Sequence, residues 1–394
     1  MKIAVITGEE SGDKLAASIL RKLKNSTDNS IDLYGIGGKA LDEIGIQKFH
    51  DISEINVMGI FEVLPKILQI SKIINNTVEK IIDLKPDLIF SVDSPDFTLR
   101  ICKKIKNINK ELKIIHMVAP SVWAWRAGRI KVVRESVDHL LTILPFEKEI
   151  FDKENIKTTY VGHPITEIET TEYTNSDNEI SNLNNDKETF LILPGSRKSE
   201  VTKLLPIYLK AVKKLNLNKN YKLVLPTTNN MKNIIIDKLR DFPNIEIEVI
   251  SSNKDKYAAF LRANIAIVTS GTAALELSYF NVAYITSYKF NPLTYFILQF
   301  LIKSKVGNLI NIINQKKIIP ELLQSDCNPE KLSEFIEKYL FDLDERNKIL
   351  KFSNIAINKL KSDKSPTSIA SNQIKAVLSL SLIHISEPTR PSSI

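Results

Sequence analysis

The stretch Phe190–Glu200, FLILPGSRKSE, leaves this chain few ways to fold. Phe190–Leu193 is an apolar run with the length of a buried parallel strand. Pro194-Gly195-Ser196 interrupts it and Arg197 follows. Apolar residues then recur at helical spacing: Val201, Leu204, Leu205, Tyr208, Leu209, Val212 and Leu215. A strand, a glycine turn and a helix in that order aim free backbone N–H groups and the positive end of a helix at one point, which suits an anion. Arg197 adds a planar, permanently charged fork that matches a phosphate. An ordinary βα turn with a surface arginine fits the same residues.

The pattern recurs. Ile265–Val268 leads into Thr269-Ser270-Gly271-Thr272 and a helix containing Glu276. Ser270, Gly271 and Thr272 form a second anion or hydroxyl site by the same dipole argument. Glu276 suits the two hydroxyls of a ribose, or serves as a capping partner for the helix. In the first half, the strand Ile3–Ile6 meets Gly8-Glu9-Glu10-Ser11-Gly12-Asp13, and a helix is predicted from Lys14 to Leu23. This is not a dinucleotide glycine fingerprint. Glu9, Glu10 and Asp13 would repel a pyrophosphate, so the loop Glu9, Ser11, Gly12, Asp13 suits sugar hydroxyls, with Asp13 as a plain N-cap the alternative.

Asp87–Val92 is a strand ending in Asp93-Ser94-Pro95-Asp96-Phe97. Two acids three apart at a strand's carboxyl end suit general-base chemistry, and turn-forming aspartates fit equally. Lys113–Val118 leads into Pro120–Arg126 (PSVWAWR), which holds both tryptophans. Paired aromatics stack on a sugar or simply pack. His163 follows a strand in Gly162-His163-Pro164 and reads as structural.

Length and charge narrow the class. A chain of 394 residues suggests at least two domains. The net charge of +8 points to anionic partners: a phosphorylated substrate, an anionic membrane surface, or nucleic acid, for which no recognition motif is present. Two distant cysteines, Cys102 and Cys327, imply a reducing compartment. The five histidines have no zinc spacing, so neither a metal nor another cofactor is expected. Met1-Lys2 runs straight into a strand, and no apolar run reaches the roughly 18 residues of a spanning helix. The expected location is cytoplasmic. Residues 55–74, read as a helix pair broken at Pro65, and residues 290–302 are strongly apolar. They fit burial, acyl chains, a bilayer surface or a second copy of the chain.

Taken in order, GEESGD (Gly8–Asp13), VMGIFEVL (Val57–Leu64), DSPDF (Asp93–Phe97), PSVWAWR (Pro120–Arg126), PFEKE (Pro145–Glu149), GHP (Gly162–Pro164), LPGSR (Leu193–Arg197), SGTAALE (Ser270–Glu276) and PELLQ (Pro320–Gln324) resemble one family, the lipid-A-disaccharide synthases. The resemblance covers about residues 1–375. It implies an α/β fold of GT-B type: two Rossmann-like domains facing a cleft. The implied boundaries are an acceptor domain at 1–166, a linker at 167–187 and a UDP-sugar domain at 188–345. Helices at 346–380 would return to the first domain, and 381–394 would be a disordered or foreign tail, since it fits nothing upstream.

The implied reaction is transfer from UDP-2,3-diacylglucosamine to 2,3-diacylglucosamine 1-phosphate, with inversion. Asp96 is the implied base; Gly195, Ser196 and Arg197 hold the leaving UDP; Ser270, Gly271, Thr272 and Glu276 hold ribose and phosphates; Asn311 is a further substrate contact. Peripheral contact with the inner membrane and a homodimer are also implied. The family pattern fails at Asn314-Gln315-Lys316, where Lys316 keeps a charge but lacks an arginine's fork. A UDP-sugar 2-epimerase, a peptidoglycan-lipid glycosyltransferase and a non-catalytic nucleotide- or lipid-binding protein are the competing readings of the same architecture.

Overall fold

The structure, a computed structural model, describes residues 1–55, 60–124, 126–173, 188–215, 217, 221–269, 271–291, 295 and 306–386. The chain divides into two compact units, Met1–Pro164 with Leu360–Ile394, and Ile165–Lys359.

The first unit alternates strands and helices: β1 (Lys2–Thr7), α1 (Glu10–Asn25), β2 (Asp32–Gly37), α2 (Lys39–Asp42), β3 (Ile46–Asp51), α3 (Ile60–Leu84), β4 (Leu88–Val92), α4 (Pro95–Ile108), β5 (Ile114–Met117), α5 (Arg129–Ser136), β6 (His139–Thr142), α6 (Glu147–Asp152) and β7 (Thr158–Tyr160). Every strand pair is parallel, in the order β3-β2-β1-β4-β5-β6-β7. Parallel strands need crossovers, and the crossover helices cover both faces of the sheet. The central strands are therefore largely apolar: Ile3, Ala4, Val5, Ile6, Leu88, Ile89, Phe90 and Val92 are wholly buried.

The second unit repeats the plan with β8 (Glu188–Leu193), α7 (Lys198–Leu215), β9 (Tyr221–Pro226), α8 (Asn229–Leu239), β10 (Ile247–Ile250), α9 (Asn253–Arg262), β11 (Ala263–Val268), α10 (Thr272–Tyr279), β12 (Ala283–Tyr288), α11 (Leu309–Ile313) and β13 (Glu321–Leu323). Its strand order is β10-β9-β8-β11-β12-β13. Two helices, α12 (Pro329–Phe341) and α13 (Leu343–Leu360), follow. The last helix, α14 (Pro366–Ser386), belongs to the first unit. Its Ala370, Ile374 and Leu378 share one core with Ala16, Ile19, Leu20 and Leu23 of α1.

Several sequence expectations change. Helix α1 starts at Glu10, not Lys14, because Glu10 and Asp13 in its first turn complement the helix dipole. Residues 60–84 form one helix; Pro65 removes a single backbone hydrogen bond without ending it. Within PELLQ, Glu321–Leu323 forms an edge strand that extends the sheet beside β12. The return to the first unit begins at Leu360 rather than 346, because Asn314 and Asn281 hold α13 through Phe352 O and Asn354. Helix α14 runs to Ser386, past the expected start of the tail, and residues 387–394 lie outside the described set. Of the expected linker, Thr170–Tyr173 is a short 3₁₀ turn, and residues 174–187 lie outside the described residues.

The GHP motif has a structural use. A Cβ on Gly162 would sit 2.3 Å from Ser362 Oγ, and His163 N–H donates to Leu360 O at 3.0 Å. The motif is the seam where the returning chain meets β7. His163 stays neutral there, since burial lowers its pKa to about 4.

Candidate active site

In an open parallel sheet, ligands bind beyond the carboxyl ends of the strands where the strand order reverses. Each unit has one such point: between β1 and β4 in the first, and between β8 and β11 in the second. Thr7 pairs with Val92, and Val92 with Met117, so the loops after β1, β4 and β5 lie side by side. Leu193 pairs with Val268, so the turns after β8 and β11 are neighbours too. The loop motifs read from the sequence as chemistry-bearing after β1, β4, β8 and β11 stand at these two points, whereas Asn311 lies before the edge strand β13.

In the first unit, Gly12 is buried against the end of β4, where an added Cβ would lie 3.2 Å from Val92 O. Ser11 donates its hydroxyl to the Asp93 carboxylate, which also accepts from Ser94 N–H at 2.7 Å. Burial pushes Asp93 up from the usual carboxylate range despite those two bonds. Asp93 and Ser94 both hold left-handed backbone, at φ of 56° and 45°. Two such residues in tandem are strained and persist only where the surroundings fix them, a common mark of functional sites.

Asp96 stands in the first turn of α4 with its side chain 63% exposed. Arg126 Nη1 donates to both of its oxygens at 3.3 Å, and Arg129 forms an ion pair with Oδ2. Arg129 was not legible in the sequence; only its place three residues after Arg126 hints at it. Trp123 Nε1–H donates to Glu147 Oε1 at 3.2 Å, and its ring meets Phe146 edge-on at 5.2 Å. That fastens the tryptophan loop to the start of α6. Burial pushes Glu147 up to about 7. Trp125 lies outside the described residues.

Asp13 is a correction. It is 1% exposed, and its oxygens accept from Gly38 N–H at 2.6 Å and Ala40 N–H at 2.9 Å. It ties α1 to the turn after β2, with both carboxylate oxygens spent on backbone N–H groups. Glu9, at the N-cap of α1, and Ser11 remain on the surface.

In the second unit, Gly195 has φ +109°, a left-handed conformation that favours glycine. The turn it makes points Ser196 N–H and Arg197 N–H at one oxygen of Glu200, at 3.2 and 3.3 Å. Arg197 Nη1 and Tyr288 OH reach the other oxygen, each at 3.3 Å. The turn read from the sequence as an anion site thus contains an anion of the chain's own. The sequence reading gave Glu200 no part in this turn. Beyond β11, Gly271 has φ +129° and Thr272 opens α10. Ser270 lies outside the described residues. Glu276, 9% exposed, is paired with Lys256 and accepts from Tyr257 OH at 3.1 Å.

Asn311 is the second correction. It is 2% exposed. Its amide donates to Ile319 O and Glu321, and its oxygen accepts from Ile318 N–H and Ile319 N–H. With these four hydrogen bonds its side chain braces the chain entering β13. Among the described residues no group of three or more His, Cys, Asp or Glu could hold a metal. No helix there is long and apolar enough to cross a membrane.

Two doubly wound units, each with glycine turns at its switch point, define the GT-B class of architecture. Solved structures with this fold include Staphylococcus aureus MnaA with UDP, at TM-score 0.66 and 16% identity over 96% of this chain and 97% of that one. Another is UDP-GlcNAc 2-epimerase from Neisseria meningitidis bound to UDP-GlcNAc, at TM-score 0.60 and 12% identity over 91% and 99%. Identities this low carry the fold and not the reaction. Residues 3–374 match the lipid-A-disaccharide synthetase family, and the chain belongs to it. Lipid-A-disaccharide synthases of Rickettsia typhi and Rickettsia bellii are 34% and 35% identical over 378 and 379 residues, each covering 95% of this chain and 98% of the relative. That of Rhodospirillum centenum is 32% identical over 343 residues, covering 86% and 84%. Membership makes the chain a glycosyltransferase of lipid A biosynthesis and disfavours the epimerase and scaffold readings.

Proposed function

We propose that this chain joins UDP-2,3-diacylglucosamine to 2,3-diacylglucosamine 1-phosphate, giving the β-1,6-linked lipid A disaccharide 1-phosphate and UDP. The observation that supports it best is the placement of both sets of motifs at the two switch points, in a chain of this family. The second unit takes the nucleotide. The UDP phosphates replace Glu200 at Ser196 N–H and Arg197 N–H, and Gly271 and Thr272 supply the neighbouring turn. Glu276 holds the ribose.

The first unit takes the acceptor, with Glu9 and Ser11 near its hydroxyls. Asp96 accepts the proton of the acceptor 6-hydroxyl. That oxygen bonds to the donor's anomeric carbon from the face opposite the diphosphate. The anomeric C–O bond breaks with its electron pair going to UDP, whose charge Arg197 and the turn N–H groups stabilise. This arrangement needs no metal. The reaction is placed on the cytoplasmic face of the inner membrane, to which the +8 chain is held by charge and by apolar segments. Parts of those segments (56–59, 292–294 and 296–302) lie outside the described residues.

The test is UDP release from both substrates with EDTA present. Wild type turns over, and Asp96→Ala loses at least about 100-fold in kcat/KM. Full activity in the variant removes Asp96 as base and moves attention to Asp93. No turnover by a folded, UDP-binding wild type removes this pair of substrates.

A further inference from the structure

Arg126 and Arg129 converge on the exposed carboxylate of Asp96. Arg129, 14% exposed, is the anchored partner, while Asp96 is 63% exposed and lies on the solvent side of the pair. Two guanidinium groups converge there, and their forked donors match a phosphate's oxygens as well as a carboxylate's. Backbone strain marks the same loops: Val118 at φ 72° and Arg126 at φ 51° join Asp93 and Ser94, all non-glycine residues beyond β4 and β5. A β-branched residue such as Val118 is a clear outlier there.

We infer that Arg126 and Arg129 form the binding site for the acceptor's phosphomonoester, and that the Asp96 carboxylate is its internal occupant, displaced when the phosphate arrives. The inference rests on the first unit being the acceptor unit, as proposed above, and names the contact that selects a phosphorylated sugar. A phosphomonoester carries about −1.5 to −2 charge at neutral pH against −1 for a carboxylate, so exchange is favourable. The displaced Asp96 is then free to accept a proton. Base and acceptor become available together, so without acceptor the base stays paired and donor hydrolysis by water is suppressed. The turn after β8 has the same design, with Glu200 as its occupant.

The test measures binding, not turnover, so it stands apart from the activity assay. Glucosamine 1-phosphate and unphosphorylated glucosamine are titrated calorimetrically into the full chain. Wild type is compared with Arg126→Gln, Arg129→Gln and Asp96→Asn, with UDP binding as the check on folding. The phosphorylated sugar should bind and glucosamine should not. Each arginine variant should weaken glucosamine 1-phosphate at least about tenfold, a loss of about 1.4 kcal/mol. Asp96→Asn should tighten it several-fold, because the internal competitor is gone; a merely structural aspartate would not do this. Arg126, half exposed, serves if Arg129→Gln does not fold. Equal binding of the two sugars, unchanged affinity in the arginine variants, or unchanged or weaker affinity in Asp96→Asn overturns the inference.

Discussion

Glu147 is buried with Trp123 Nε1–H and Leu144 N–H as donors and no cation among those partners. Its pKa rises from the ordinary 4.5 to about 7, with burial as the main cause. The folded state therefore binds the proton more tightly than the unfolded chain. That stabilisation is fully present below about pH 4.5 and disappears as pH rises through about 7, a change of about 3 kcal/mol. His116 and His163 act oppositely: burial lowers both to about 4, so stability falls as pH drops below 6.5. Urea unfolding of Glu147→Gln against wild type should isolate the glutamate, the variant lacking the decline between pH 4.5 and 7. An equal slope in both proteins would mean that Glu147 does not titrate there. At Gly195 a Cβ would fall 2.3 Å from Glu200 Oε2 in a left-handed backbone. Gly195→Ala should weaken UDP at least about tenfold, with a stability loss of about 1–2 kcal/mol, because the turn N–H groups re-aim. Unchanged UDP affinity would remove this turn from the nucleotide site.

Among the elements, α14 shows how a distant segment is recruited. Ile374 is wholly buried in the core it shares with α1, although 340 residues of chain separate the two helices. Ile374→Ala should lower unfolding free energy by about 2–4 kcal/mol in denaturant titrations. A loss below about 1 kcal/mol would mean that the two helices do not share a core in solution. The strands and the α7 face could be read directly, because a parallel strand is buried on both sides and a crossover helix on one. Val201, Leu204, Leu205, Tyr208, Leu209 and Val212 are all buried, as their spacing requires. The PELLQ strand could not be read that way. Three residues at a sheet edge carry no period, and only the position of β12 makes them a strand.

For the whole molecule, the charge of +8 gives a prediction that no single residue carries. The chain should co-sediment with vesicles rich in phosphatidylglycerol and not with phosphatidylcholine. Binding should fall steeply over a roughly tenfold rise in salt, since exposed charges are screened. Equal binding to both vesicles would leave the apolar segments alone to explain any membrane contact. The sequence by itself determined two doubly wound units, the glycine turns that end their first strands, and the family, because strand period, turn chemistry and helix spacing are local properties. Only the tertiary structure decided which polar groups are spent on the chain itself. Asp13 and Asn311, read as ligand contacts, brace backbone N–H groups; Asp96, read as the base, is paired with arginines, and Glu200, which the sequence did not single out, fills the turn after β8. A side chain's availability depends on what the folded chain brings beside it, and each of these partnerships joins residues from different elements or loops, Glu200 included through Tyr288.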